Sequence, residues 1–463
     1  MININYNLTA KSLKPAIERM FKLSGQKILS IQNSWNNADG SPVFTVNGRY
    51  ASRGWTEWTQ GFQFGSALIQ YEATGGKSFL ISGKKNILKY MAPHLTHIGV
   101  HDHGFNNIST YGSLLRLMNE GYIPYDENEK SFYELALKVS GAVQATRWTK
   151  ISDSSGFIYS FNGPHSLFID TMRTLRSLAV AHKLGHILMG ERDKKISLLR
   201  RLIQHSLTTA TYSVYYGEGR DIYDVKGRVA HESIFDTIDG SYRCPNSQQG
   251  YSPFSTWTRG LAWAILGFSE ELEFLSTLKA EDESDSLVNL GKSLDEIKSI
   301  FLKTVEATAD YYIENSCADG IPYWDTGAPF LYKLGDYLNE PSNPFNKWEP
   351  VDSSAAAIAA QGLIRLGNYL NQQNKNGNRY RQAGLTILNT LLGEPYLSEN
   401  PRHQGLLLHS IYHRPNGWDY IHKGRKVPNG ESSMWGDYHL RELSLLILRE
   451  INKKPYLTFF TAL

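Results

Sequence analysis

Cysteine is nearly absent: Cys244 and Cys317 are the only two in 463 residues. Two are too few for a disulfide framework, and they lack the spacing of a zinc site or a redox pair. A reducing compartment, the cytoplasm, is the expectation that follows, with the periplasm as the alternative if an N-terminal signal has been removed. Net charge is small as well, since 48 Lys and Arg against 45 Asp and Glu leave +3. That is far from a chain built to coat a polyanion, so nucleic acid is not an expected partner. No run of about 18 apolar residues occurs, which argues against a membrane span. The opening MININYNLTAKSLK lacks the basic-then-apolar order of a signal peptide. A Gly-rich phosphate loop is missing too, and neither a cofactor nor a bound metal is expected.

What the chain does contain is a folded composition, 41% apolar and 20% charged, which excludes disorder and collagen-like repeats. Aromatic residues reach 12%, a supply suited to flat sugar or base faces as well as to a core. Apolar residues recur at three-to-four spacing, which predicts helices near 11–34, 57–75, 79–95, 106–121, 128–144, 166–183, 188–215, 257–277, 286–316, 352–370, 375–394 and 434–451. Asp352 or Ser353 stands before AAAIAAQGLIRL as a cap for the free amides of a helix start. The charge-dense KAEDESDS around Glu281 reads as a solvated stretch. Long segments rich in Gly, Pro, Asn, Trp and Tyr separate the helices at 36–56, 145–165, 216–256, 317–350 and 395–433. Loops of that length in a compact chain are usually functional. The expected architecture is therefore all-α, one domain over 1–463, with a face built from loops.

Three groups of residues could carry chemistry. In His101-Asp102-His103 two imidazoles flank a carboxylate just before a predicted helix. Asp102 there is either a functional acid or a helix cap. The His-x-His pair occurs at metal sites too, but those need further ligands that no strand here presents. In Leu167-Phe168-Ile169-Asp170 a carboxyl sits in an apolar run, where burial disfavours its charge and suits it to donating a proton. Two such carboxyl groups are what glycosidic chemistry commonly uses. The third and densest group runs from Gln249-Gly250-Tyr251 to Ser255-Thr256-Trp257-Thr258-Arg259-Gly260-Leu261-Ala262-Trp263. Indole faces can stack on a sugar ring, an amide can fix its hydroxyls, and an Arg fork can hold a carboxylate. Each Trp also has the alternative of plain packing.

These residues resemble the unsaturated glucuronyl hydrolases, glycoside hydrolase family 88. The similarity runs over most of the chain: Trp58-Thr59-Gln60-Gly61-Phe62 with YEATGG after it, HDHGF at 101, FIDTM at 168, QGY at 249 and STWTRGLAW at 255. It continues with IPYWD at 321, VDSSAAAIAAQGL at 351, LLLHSIYHRPNG at 406 and SSMWGDYHLREL at 432. The resemblance implies an (α/α)6 barrel, in agreement with twelve helices counted from periodicity. It also implies Asp170 as general acid and base and Asp102 as the second essential carboxylate. Its substrate-binding set maps onto His231, Gln249, Trp257, Arg259 and Trp263, and its pocket positions onto Trp58, Phe62 and His101. Phe161 stands where relatives often carry Trp.

The implied reaction is hydration of the C4=C5 double bond that polysaccharide lyases leave on a non-reducing-end uronic acid. The partner is then an unsaturated uronic-acid oligosaccharide. Arg259 or His231 is expected on the uronate carboxylate, and Asp170 is expected to keep its proton near neutral pH. The basic His422-Lys423-Gly424-Arg425-Lys426 is read as a solvated loop or as a receiver for an acidic group on the leaving sugar. Competing readings are an unsaturated rhamnogalacturonyl hydrolase, an ordinary inverting hydrolase, a non-catalytic sugar-binding protein and a metal-dependent hydrolase on His101 and His103.

Overall fold

A computed structural model of the chain describes residues 1–54, 57–278 and 290–461; the charge-dense stretch at 279–286 lies outside them. Twelve helical segments organise the described residues. Six are outer: α1 (Ala10–Ser34), α3 (Lys77–Tyr90), α5 (Glu127–Thr146), α7 (Leu198–Tyr212), α9 (Leu294–Asn315) and α11 (Asn378–Leu391). Six are inner: α2 (Gln60–Thr74), α4 (103–119, with a π-helical turn at Ile108–Gly112), α6 (171–183, broken at Leu175), α8 (Thr258–Leu275), α10 (Ser353–Gln372) and α12 (Met434–Ile451). Inner and outer helices alternate along the chain. This is the (α/α)6 barrel.

Burial follows from composition. Helices α8, α10 and α12 are buried on nearly every side, and charged side chains they carry inward, such as Glu270 and Glu442, are paired there with Arg173. The outer helices keep one wet face; α1 buries Leu13, Ile17, Met20, Phe21, Ile28 and Ile31 at helical spacing. Starts are set by short oxygen side chains: Thr9 and Ser293 each close a reciprocal capping box, while Asp126, Ser197, Asp352 and Ser433 accept amide bonds from the first turns of their helices. The inner ring closes through successive contacts, α2 on α4, α4 on α6, α6 on α8, α8 on α10, α10 on α12, and α12 back on α2. Glycine permits the tightest of these approaches. A Cβ on Gly104 would lie 2.3 Å from the Thr174 carbonyl oxygen, and one on Gly362 would lie 2.7 Å from the Leu266 nitrogen.

Short strands interrupt the helical pattern. Ser166–Phe168, Glu232–Phe235 and Tyr242–Asn246 form an antiparallel three-stranded sheet, backed by a small cluster of Phe157, Leu167 and Phe235. The expected helices at 166–183 and 188–215 therefore begin late. Residues 166–168 are strand, and Leu188–Met189 pairs with Lys195–Ile196 in a hairpin before α7. Among the described residues no helix is long and apolar enough to cross a membrane.

Candidate active site

Every inner helix starts at the same end of the barrel, and the segments entering all of them except α10 wall a cavity of about 530 Å³. The approach to α2 contributes Glu57 and Trp58, the approach to α4 His97 to Asp102, and the approach to α6 Phe161 and Asp170. Gln248, Gln249, Trp257 and Arg259 come from the approach to and start of α8, and Tyr412, His413, Asn416 and Trp418 from the approach to α12. Helix N-termini carry a positive partial charge, so their convergence favours an anionic occupant.

The acidic centre is a three-group cluster. His101 Nε2 lies 3.0 Å from Asp170 Oδ1 and 3.9 Å from Asp102 Oδ1. Asp102 is 7% exposed and Asp170 8%, so each keeps a small window on the cavity. Asp102 occupies the cap position of the turn at His103–Asn106 but its side chain caps nothing. Burial disfavours its charge and, against the pull of His101, pushes its carboxyl up to about 6. Asp170 departs from expectation. Burial and apolar neighbours act to raise it, but the His101 hydrogen bond and the nearby positive charges outweigh them and hold it below the usual carboxylate range. His101 moves the other way: burial lowers it, while Asp102 and Asp170 together raise it above an ordinary imidazole. The proton therefore favours His101 over Asp170. The partner that reverses the expectation is 69 residues away in sequence.

Arg259 also differs from its expected part. One Nη donates to Asp352 Oδ2 at 3.0 Å and to the Ile411 carbonyl; the other donates to Gln249 Oε1 at 2.8 Å and to the Tyr412 carbonyl at 2.7 Å. All four terminal N–H groups are committed, so the fork organises the walls instead of presenting itself to a ligand carboxylate. It lies over the rings of Trp257 and Trp435 at 4.7 and 4.9 Å.

His231 sits behind the wall, 3% exposed, packed on Phe168 and Trp257 at 4.5 and 4.7 Å. Its Nδ1 accepts from the amides of Gln248 and Gln249 at 2.9 and 3.2 Å, which puts the ring proton on Nε2. Burial pulls its pKa down to about 3. It is a neutral prop for the loop that presents Gln249. Phe62 is fully buried as well, beneath Trp58 and Phe105 at 6.2 and 5.4 Å. These two residues of the expected binding set thus support the wall without lining it, because larger aromatic side chains cover them. Trp58, His101, Asp102, Asp170, Gln249, Trp257, Arg259 and Trp263 all line the cavity. Trp263 forms its floor against Phe105 at 4.8 Å, and Phe161 stacks above His101 at 6.2 Å.

His103 faces away from the cluster, bonded to Ser140 Oγ and the His97 carbonyl at 3.0 and 2.9 Å. Among the described residues no three His, Cys, Asp or Glu side chains are grouped to hold a metal ion. The basic stretch at 422–426 lies outside the cavity wall; His422 pairs with Glu431 at 3.0 Å. Sequence reasoning gave no role to Glu57, His97, Gln248, Tyr412, His413, Asn416 and Trp418, which line the cavity. Tyr412, His413 and Asn416 fall in LLLHSIYHRPNG, and Gln248 directly precedes the QGY motif, so proximity to motifs could have marked them. Nothing in the sequence singles out His97.

Paired carboxyl groups under an aromatic-walled, loop-built cavity on an (α/α)6 barrel define a sugar-processing hydrolase. No protein-family model matches the chain. It is 25% identical over 390 residues to an unsaturated glucuronyl hydrolase of Formosa agariphila, covering 83% of this chain and 78% of the relative. It is 22% identical over 440 residues to an unsaturated chondroitin disaccharide hydrolase of Streptococcus agalactiae, covering 94% and 91%. The crystal structure of the unsaturated glucuronyl hydrolase of Bacillus sp. GL1 superimposes with a TM-score of 0.67 at 21% identity, over 93% of this chain and 95% of that one. Over most of its length the chain is thus similar to unsaturated glucuronyl hydrolases in sequence and shares their fold.

Proposed function

We propose that this enzyme hydrates the C4=C5 double bond of an unsaturated uronic acid at the non-reducing end of a lyase-produced oligosaccharide. The observation that carries the reading is the shared cavity wall on which Asp102 and Asp170 flank His101 Nε2. The bond is a vinyl ether. A proton delivered to C4 leaves positive charge across C5 and the ring oxygen, water adds at C5, and the hemiketal opens to release the neighbouring sugar.

Asp170 delivers the proton and then, as carboxylate, takes one from the attacking water. That proton is drawn from His101, one 3.0 Å hydrogen bond away. An entering uronate whose charge lies nearer Asp170 than His101 raises the proton affinity of that carboxylate more than that of the imidazole, and so moves the proton from His101 Nε2 to Asp170 Oδ1. Asp102 holds the ring hydroxyls. Gln249, fixed by Arg259 and by the hydrogen bond its backbone N–H donates to His231 Nδ1, addresses the same sugar, while Trp58 and Trp257 offer ring faces. The reading needs no cofactor, because no redox step or phosphoryl transfer takes place. One hydrophobic core running from Ile2 to Phe460 supports treating residues 1–463 as a single catalytic domain. The free Cys244 and Cys317 support a reducing, cytoplasmic setting.

The test is a panel of disaccharides from lyases acting on chondroitin, hyaluronan, heparin, ulvan, gellan and pectin, followed by loss of the ultraviolet absorbance of the unsaturated uronate. Turnover of at least one, with Asp170→Asn slowing it by about 10² to 10⁴ while binding persists, is expected. Unchanged turnover in that variant removes Asp170 from the role; preference for the pectin product redirects the reading to an unsaturated rhamnogalacturonyl hydrolase.

A further inference from the structure

Beside the catalytic cavity lies a second one of about 350 Å³, lined by Tyr251, Trp324, Pro329, Phe330, Glu349, Arg414 and Pro415. Two of the same loops build both. Tyr251 is two residues beyond Gln249, so their Cα atoms lie within about 7 Å. Arg414 and Pro415 fall between His413 and Asn416 of the catalytic wall. The third wall is the approach to α10, which contributes little to the catalytic cavity.

The shelf is a built surface. Asp325 Oδ2 accepts the Tyr251 amide and Oδ1 the Gly327 amide, both at 2.8 Å, which ties the two loops together. Glu349 is only 3% exposed and its oxygens accept from Trp324 Nε1 at 2.8 Å and from the Phe330 amide at 2.9 Å. Its charge is thus engaged within the wall. By contrast Tyr251 and Phe330 are 51% and 47% exposed, rings open to a flat apolar face. The Arg414 side chain is half-buried and has no hydrogen-bond or ion-pair partner among the described residues. Half-exposed rings around an unpaired guanidinium suit a sugar face that carries an acidic group.

We propose that this shelf binds the reducing-end continuation of the substrate beyond the leaving sugar, and that Arg414 holds a carboxylate or sulfate on it. The inference rests on the proposed function. An exo-acting hydrolase takes the terminal uronate to the cavity floor, and later sugars then leave over the rim where Tyr251 and Arg414 stand. The enzyme is therefore selective for oligosaccharides longer than a disaccharide.

Steady-state kinetics on an unsaturated disaccharide and on the tetrasaccharide of the same polymer, with sulfated and unsulfated pairs run separately, test it. The expected result is a lower KM for the tetrasaccharide. Arg414→Gln raises that KM about tenfold and Tyr251→Ala raises it several-fold, while disaccharide KM and kcat are unchanged. An effect confined to sulfated pairs assigns Arg414 to sulfate, and an effect on both assigns it to carboxylate. Equal KM values for the two lengths in the unsubstituted enzyme, or equal shifts for both substrates in the variants, overturn the shelf. Calorimetric titration of the tetrasaccharide into Asp170→Asn, with and without Arg414→Gln, reads the shelf without turnover. Weaker binding on loss of Arg414 sustains it even if the hydration reading fails, and unchanged binding overturns it.

Discussion

Replacing Arg259 with Lys keeps the charge but removes the fork that joins Asp352, Gln249 and the carbonyls of residues 411 and 412. A single ammonium cannot span these acceptors. The expectation is a fall in kcat/KM of about tenfold or more, since each lost bond to a charged group is worth about 1.5–3 kcal/mol, measured on protein whose circular dichroism is unchanged. The acid cluster predicts a pH dependence. Its members titrate together, and a donor is loaded only below its pKa. With the proton for Asp170 held on His101, which is raised above an ordinary imidazole, kcat/KM falls as pH rises through that raised value. His101→Asn is expected to shift that descending limb and lower kcat; a profile identical to the parent would remove His101 from proton handling. The presence of Asp102, Asp170, Trp257 and Trp263 at one cavity was legible from residue type and local spacing, and that of Trp58 from the family resemblance alone. Charge state was not. The proton preference of Asp170 is set by His101, and the occupation of Arg259 by Asp352 and by carbonyls more than 150 positions away, which no local pattern encodes.

Helices were readable where an apolar stripe or an all-apolar run persists for several turns. The range 434–451 expected from periodicity is that of α12, and Asp352 caps α10 as its position suggested. Legibility failed at short strands. Ser166–Phe168 takes its structure from pairing with Glu232–Phe235, more than sixty residues on, and three residues are too few to show a period. Close packing of elements was equally hidden. Gly104→Ala forces a methyl group against the Thr174 carbonyl where α4 meets α6. An overpacked contact typically costs about 1–3 kcal/mol, and a backbone neighbour yields little. A lower melting temperature is expected, with activity reduced because that crossing sits directly below His101 and Asp102 in the chain. Melting unchanged within error would show that the two helices can part without cost.

Across the barrel interior, charge ties the ring together. Arg173 on α6 donates to Glu270 of α8 and, at 2.8 Å, to Glu442 of α12, while Gln361 of α10 donates to Glu442 at 2.9 Å. Burial opposes the charge of Glu442, but Arg173 and Arg176 outweigh it and depress its pKa far below the ordinary value. A carboxyl held lower in the fold than in the open chain stabilises above its unfolded pKa, about 4.3, and that stability is lost as pH falls below it. Glu442→Gln is therefore expected to cost about 3–5 kcal/mol at neutral pH and to flatten the acid limb of the stability profile. Thermal melts across pH measure both, and a parallel acid limb in parent and variant would exclude Glu442 as its source.

The shared polarity of the inner helices separates what holds the barrel from what meets the ligand. Each circuit of the chain returns to one rim, and the connecting segments there can lengthen, shorten or exchange side chains while the helix crossings beneath stay as they are. A new preference for the departing sugar can then arise by drift in one rim segment, such as 412–418, with the floor that handles the proton left intact.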